Sequence, residues 1–374
     1  MITRQRFVHC AAVSTAAAIG APFLLQACSS DSGAGSYDAT VRSTWHPAKA
    51  PPGDKTALRR ELVRYATLAP SSHNTQCWKF RIEDDAITIL PDVARRTPAV
   101  DPDDHHLYVS LGCATENLVQ AALANGLKGD VRFDPAAGGS GAIRVPLEPT
   151  KASASPLYLA IPDRQCTRAE YDGNPLSVNE LRLLEQAGTG KGVRVMLLTD
   201  KAAFEKVLAY VVEGNTAQMN DPAFVEELKS WIRFGSGEAV KTGDGLYSAT
   251  SGNPSVPRWI GSPLFGMFFK PKSENDKYAK HVRSSAGVAV FVSEANDKAH
   301  WVEAGRCYER FALQATALGI RNAMLNQPVE VSRLRPQFAT AMGIGGGRPD
   351  LVVRFGHGPV MPKSLRRDLQ SVLV

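Results

Sequence analysis

Apolar residues recur along this chain at helical spacing, then at strand spacing, and the alternation is run through twice. Leu58, Leu62, Tyr65 and Ala69 follow a helical period behind Asp54, a capping residue type, and Pro70 stops the run. Trp78, Phe80 and Ile82 alternate as a half-buried strand. Ile87 to Leu90 pairs back on it through the acidic turn Asp84-Asp85. Leu107, Leu111, Ala114, Leu118 and Ala122 predict a long helix that Gly126 ends. Leu157 to Ile161 reads as a short apolar strand.

The second pass opens at Ser177 and Glu180, spaced as a capping box ahead of Leu181 and Leu184. Val193 to Leu198 reads as a strand, and Asp200 caps a helix carrying Phe204, Val207, Leu208 and Val211. Asp221-Pro222 opens another in the order cap, then proline. From Gly235 to Gly261 periodicity is lost among Gly, Ser and Thr, which predicts a long loop or lid. Val288 to Ser293 is a strand. Ala304, Cys307, Phe311, Ala315 and Leu318 mark a long helix closed by Gly319, and Leu351 to Phe355 is a last buried strand.

A gap-free shift of 193 residues superposes the two passes, matching Val109 with Val302, Gly112 with Gly305, Glu116 with Glu309 and Gly126 with Gly319. It also pairs Pro135 with Pro328 and Pro156 with Pro349. A diverged internal repeat follows. The expected organisation is a leader over residues 1–27, a tether over 28–53, a first repeat over 54–163 and a second over 164–374, with the lid at 235–261.

Composition refines this in two places. Lys+Arg exceed Asp+Glu by 43 − 37 = 6, without long basic runs, so a nucleic-acid partner has no support. Arg4 and Arg6 precede a mostly apolar, uncharged stretch from Ala11 to Leu25, too short for a spanning helix of about 20 residues. That stretch runs into Leu25-Gln26-Ala27-Cys28, which resembles a bacterial lipobox. The expectation is an exported chain, lipid-anchored through Cys28 on the periplasmic side of a bacterial membrane. The arginines are split by Gln5, so the Sec and Tat routes both stay open. Cys77, Cys113, Cys166 and Cys307 show no metal-ligand spacing, and no metal site is expected.

Several chemistries drop out. There is no phosphate loop, no GxGxxG turn after a strand and no GxSxG elbow. Asp103 to His106 reads as a charged helix start rather than a metal site, since adjacent histidines on a helix point different ways. What remains is Ala69-Pro70-Ser71-Ser72-His73-Asn74-Thr75-Gln76-Cys77-Trp78. Its small and amide side chains between a helix end and a strand start can ring a planar polar ligand, or form a self-bonding turn.

This loop resembles the Ala-Pro-Ser-Ser-x-Asn-x-Gln-Pro-Trp segment of the FMN-dependent nitroreductase superfamily. Over residues 55 to 374 the chain is similar to its tandem-repeat, single-chain (Acg-like) branch. Arg164-Gln165-Cys166-Thr167-Arg168, Asn326-Gln327-Pro328, Gly356-His357-Gly358-Pro359 and Arg366-Arg367 carry the rest of the resemblance. Cys77 and Cys166 depart from it, standing where the family has proline and serine.

The resemblance implies an α+β fold in which two tandem repeats form a pseudo-dimer within one monomeric chain, with one FMN bound between them. It places Ser71, Ser72 and Asn74 at the flavin edge and Asn326 and Gln327 near its N5, and counts Gln76 among the flavin-binding residues. Arg164, Arg168, Arg366 and Arg367 would hold the phosphate. The implied partners are a small-molecule electron donor and an acceptor of the nitroaromatic or quinone type; no side chain is singled out as acid or base. An exported protein would not meet the cytoplasmic nicotinamide pool, so the donor is open. The rival expectation is a flavin holder whose lid stays shut.

Overall fold

The computed structural model describes residues 34–48 and 53–374. The leader and the expected lipidation site at Cys28 lie outside these residues. The chain begins with helix α1 (Ala34–Thr44). A first half follows: α2 (Lys55–Thr67), β1 (Trp78–Ile82), β2 (Ala86–Pro91), α3 (His105–Ala124), β3 (Leu127–Gly129), β4 (Arg132–Asp134) and β5 (Ala142–Pro149). A short helix α4 (Pro156–Ala160) links it to the second half.

The second half runs α5 (Val178–Ala187), β6 (Val193–Leu198), α6 (Lys201–Met219), α7 (Pro222–Trp231), β7 (Ile232–Arg233), α8 (Ser236–Thr242) and β8 (Leu246–Tyr247). It continues through α9 (Arg258–Phe268), α10 (Pro271–Arg283), β9 (Gly287–Ser293), α11 (Lys298–Ala317) and β10 (Arg321–Met324). It finishes with α12 (Gln327–Glu330), α13 (Arg335–Ala341), β11 (Arg348–Gly356) and α14 (Leu369–Val372).

The two sheets share one topology. The first has strand order β1-β2-β5-β3 and the second β6-β9-β11-β10, antiparallel throughout. Each half places its long helix after the second strand, so α3 corresponds to α11. The expected α+β fold with two tandem repeats is what the chain adopts. The gap-free shift holds through the helices but not beyond them. Pro156 opens α4, while Pro349 lies inside β11.

The halves meet along α3 and α11, and the contact is reciprocal. A Cβ on Gly112 would stand 2.0 Å from the Val302 carbonyl oxygen, and one on Gly305 would stand 2.0 Å from that of Val109. Only glycine lets the two backbones touch there. The flanking carboxylates are neutralised differently. Glu116 accepts from Arg306 at 3.2 Å and Arg310 at 3.0 Å, both on α11, whereas Glu309 pairs with Arg164 at 3.2 Å.

One large difference breaks the symmetry. Strands β1 and β2 are joined by the tight turn at 83–85, whereas the chain between β6 and β9 carries all of α6 to α10. That insertion is a helical layer present on the second half alone.

Three expectations change here. Leu157 to Ile161 is not a strand: Ser155 caps Tyr158 N and Pro156 takes the first turn, giving α4, whose apolar run belongs to a helix too short to show its period. Residues 235–261 are not a structureless lid. They hold α8, strand β8, which pairs in parallel with the preceding β7, and the start of α9, and Gly243, Gly245 and Gly252 serve positive-φ turns between these short pieces.

The third change concerns the tether, which is not free along its length. Helix α1 packs on α8, with Tyr37 against Tyr247 at 4.8 Å, and Trp45 is buried beneath Lys363 and Arg366.

Candidate active site

The loop after α2 is held in an uncommon backbone. His73, Asn74 and Gln76 all have positive φ, at 48°, 53° and 52°, where side chains other than glycine are strained. Ser71 Oγ accepts from Gln76 N at 2.9 Å, and the loop is stitched to the insertion by Asn74 Nδ2 donating to Gly245 O at 3.0 Å. Gln76 Nε2 donates to Gly243 O at 2.9 Å. These bonds hold Ser71, Ser72 and His73 along one wall of a cavity of about 670 Å³ between the halves. That lies within the range of roughly 300–1,000 Å³ usual for small-molecule and cofactor sites.

The opposite wall comes from the second half. Arg168, Tyr308, Asn326, Gln327 and Arg354 line it, and α6 to α10 roof it with Asn215, Phe265, Lys277, Tyr278 and His281. The mirror position has no such roof, because β1 and β2 are joined by a turn.

The expected site residues therefore divide. Ser71, Ser72, Arg168, Asn326 and Gln327 come together around the cavity. Asn74, Gln76, Arg164, Arg366 and Arg367 do not line it. Arg366 donates from Nε to Thr67 O at 2.6 Å and from Nη2 to Leu68 O at 2.9 Å and Ala69 O at 3.0 Å, so its charge caps the C-terminus of α2. Arg164 donates to Leu68 O at 2.8 Å and pairs with Glu309. Arg367 binds Gln76 through its backbone N–H at 2.8 Å and faces Asp92 at 3.5 Å. The guanidinium groups of these three arginines are engaged by backbone carbonyls and by the carboxylates Glu309 and Asp92, bonds that the phosphate role expected for them would have to replace.

Arg168 is different. It engages in no hydrogen bond or ion pair among the described residues, whereas Arg354, on the same wall, donates to Thr167 O, Ala169 O and His281 O and stacks on Tyr171. His73 Nδ1 is buried without a hydrogen-bond partner. A free guanidinium and an unpaired ring nitrogen facing one cavity fit an anionic ligand with polar edges.

His105 and His106 are not a charged helix start. Both are buried, and burial holds both rings below the usual histidine range. Asp101 takes the N-terminal donors instead, accepting from His106 N and Leu107 N at 3.0 Å each. His106 Nε2 lies 3.5 Å from Glu330, which also accepts from Gln218 at 2.6 Å, and burial raises the Glu330 carboxyl. This His106–Glu330 pair lines the cavity, an acid and a base facing each other there.

Sequence reasoning passed over several lining residues, among them Arg354, Lys277, Tyr278 and His281. Arg354 carried a signal, being a charge inside the apolar strand Leu351 to Phe355. Lys277, Tyr278 and His281 share one face of α10 at helical spacing, but nothing in the pattern marks that face as a site wall.

Burial, then the charge of Arg168, lowers the His73 ring to about 4 from a usual 6.5. Between those pH values the unfolded chain takes up a proton that the folded one refuses, so stability falls as pH drops through that window. The loss attributable to His73 is about 2–3 kcal/mol. Denaturant unfolding of His73→Asn, which keeps a side chain tolerant of positive φ, is expected to lose about that much of the decline between pH 6.5 and 4. His281, lowered to about 3, supplies a remaining slope of the same sign. An unchanged profile would show that His73 is not buried neutral.

Known proteins resemble this chain in sequence over most of its length. No family model matches the chain. A Mycobacterium tuberculosis protein named "Putative NAD(P)H nitroreductase Rv3131" is 26% identical over 326 residues, covering 84% of this chain and 90% of its own length. The protein named "Putative NAD(P)H nitroreductase acg" from the same organism is 23% identical over 334 residues, covering 85% and 95%. The chain is similar to the Acg-like single-chain nitroreductases.

Solved structures match more locally. An FMN-bound nitroreductase from Bacteroides fragilis covers 56% of this chain and 94% of its own, at 14% identity and TM-score 0.36. An FMN-dependent nitroreductase from Mycobacterium smegmatis in complex with NADPH covers 58% and 96%, at 13% identity and TM-score 0.37.

Proposed function

We propose that the cavity between the halves holds one FMN and that the protein is an FMN-dependent oxidoreductase, passing two electrons from a small-molecule donor to a nitroaromatic or quinone-type acceptor. When bound, the flavin ring supplies the two-electron chemistry. Arg168 carries the reading, as the unpaired cation on the cavity wall. Together with Lys277, which also lines the cavity, it would bind the phosphate. Ser71, Ser72, Asn326 and Gln327 would orient the polar edge of the ring. The apolar wall of Leu246, Val256 and Phe265 would exclude water. His106 and Glu330 would hold the proton that accompanies electron transfer.

Access favours an enzyme over a sealed holder, because Leu264 both lines the cavity and is exposed, at 37%. Export, with a lipid on Cys28, remains part of this proposal. The visible spectrum of the purified protein tests the cofactor. After reconstitution with excess FMN, about one flavin per chain is expected, because only one half carries the helical roof. It should bleach with dithionite and recover with a nitroaromatic. Two tightly held flavins, or none, would overturn the reading, and a bound flavin that no acceptor reoxidises would leave only the holder.

A further inference from the structure

Helix α9 is apolar on both sides. Its inner side carries Gly261, against Phe234, and Phe265, which stacks with Phe269 at 4.4 Å; these residues close the cavity. Its outer side presents Trp259, Pro263 and Met267 at four-residue spacing, with Leu264 beside them. Trp259 is 77% exposed and Met267 62%, and of the eight large apolar side chains exposed among the described residues three lie on this one helix. Solvent exposure of clustered large apolar groups marks a surface that is covered by something.

Two observations indicate what covers it. The first is charge. From Arg258 to Lys272 the chain carries Arg258, Lys270 and Lys272; Arg258 pairs with Glu238 and Lys272 with Asp276, so among the described residues Lys270, at the foot of the apolar stripe, is the cation of the three without a carboxylate partner. Tryptophan with lysine and arginine beside an apolar face is the composition of a helix that lies in a lipid interface.

The second is the position of the chain's start. Glu238 of α8 pairs with Arg258 of α9 at 2.7 Å, and α8 also packs on α1. Ala34, where α1 begins, is six residues beyond Cys28, a reach of about 20 Å at most. A lipid on Cys28 would hold this side of the molecule close to the leaflet. Among the described residues no helix is long and apolar enough to cross a membrane, so α9 would lie along the surface.

We infer that α9 is a membrane-docking helix, which seats Trp259, Leu264 and Met267 in the interfacial region of a bilayer carrying anionic headgroups. Docking places the thin wall of the cavity, one helix thick, against lipid. It does not depend on the flavin reading, since Trp259 and Met267 are exposed whatever the cavity holds.

The test uses a chain starting at Ser29, which retains every described residue and lacks both the apolar leader and Cys28. It is floated with vesicles of phosphatidylcholine, with and without phosphatidylglycerol. Binding to the anionic vesicles is expected. Trp259→Ser combined with Met267→Ser should lower the bound fraction about tenfold, since such binding scales with the apolar area inserted. Lys270→Glu with Lys272→Glu should abolish the preference for phosphatidylglycerol. Val178→Ser, which removes an apolar group 84% exposed on α5, should change nothing. Failure to float, or equal floating of the Trp259/Met267 variant, overturns the inference. So does a dimer in light scattering that this variant disperses while vesicles bind neither form; the face would then belong to a second copy of the chain.

Discussion

Replacing Gly112 with valine is expected to lower the free energy of unfolding by about 3 kcal/mol or more, the upper end of what overpacking costs. The added Cβ alone would stand 2.0 Å from the Val302 carbonyl oxygen, and the obstacle is backbone, which no side-chain rotation relieves. Helices α3 and α11 would have to separate along the contact that joins the halves, opening gaps around Leu111, Ala114, Ala304 and Tyr308, all fully or nearly fully buried. Gly305→Val should behave alike, because Val109 meets it in the same way. Gly237→Ala is the control. It sits within α8 with open space around it, and should raise stability by about 0.5–1 kcal/mol through helix propensity. Denaturant midpoints at constant slope decide it. A wild-type midpoint for Gly112→Val would show that the two backbones do not touch.

Arg168→Ala is expected to weaken FMN binding by about a hundredfold while leaving the unfolding midpoint of the flavin-free protein within about 0.5 kcal/mol of wild type. Arg366→Ala should do the reverse. It strips donors from Thr67 O, Leu68 O and Ala69 O and unseats the stack on Trp45, at a cost of about 3 kcal/mol. Burial, reinforced by the neighbouring Arg164, lowers the Arg366 guanidinium to about 9, so this cation is already held at some expense and its bonds are what keep it there. Flavin titration and chemical denaturation of both variants separate the roles. Loss of flavin affinity in Arg366→Ala at unchanged stability would return the phosphate to the arginine pair and remove it from Arg168.

The contrast between these arginines shows how far the sequence could be read. Elements with a period of their own were legible: the Ser177 capping box, the hairpin at Asp84-Asp85 and the long helices before Gly126 and Gly319 are where the pattern places them. Short elements were not, because four or five residues complete barely one turn. The region between Gly235 and Gly261 looked structureless for that reason, although Asp244 ties it to Arg95 and Arg233.

The site was half legible. Motif residues at loop tips, Ser71 and Asn326, do face the cavity. Arginine in a motif says only that a cation is wanted, and helix-end carbonyls want one as much as a phosphate does. His106 was visible but misread, since a histidine at a helix start is ambiguous until Glu330, more than two hundred residues later in the chain, is placed beside it.

The stretch after β11 crosses back to the first half, where Arg366 reaches Thr67 across 299 residues of sequence, a backbone bridge joins Leu373 to Phe80, and Val374 N donates to Phe80 O at 3.0 Å. The stretch around Arg164 to Thr167, which opens the second half, bridges at Cys166 to β10 of that same half. The first half is thus finished by chain that belongs to the second. During synthesis, which delivers residues in order, the C-terminus of α2 and the open edge of β1 must wait, unpaired, for nearly the whole remaining length to be made. The first half is therefore the part most exposed to mispairing before release from the ribosome, and its folding is expected to finish after that of the second half, although it was made first.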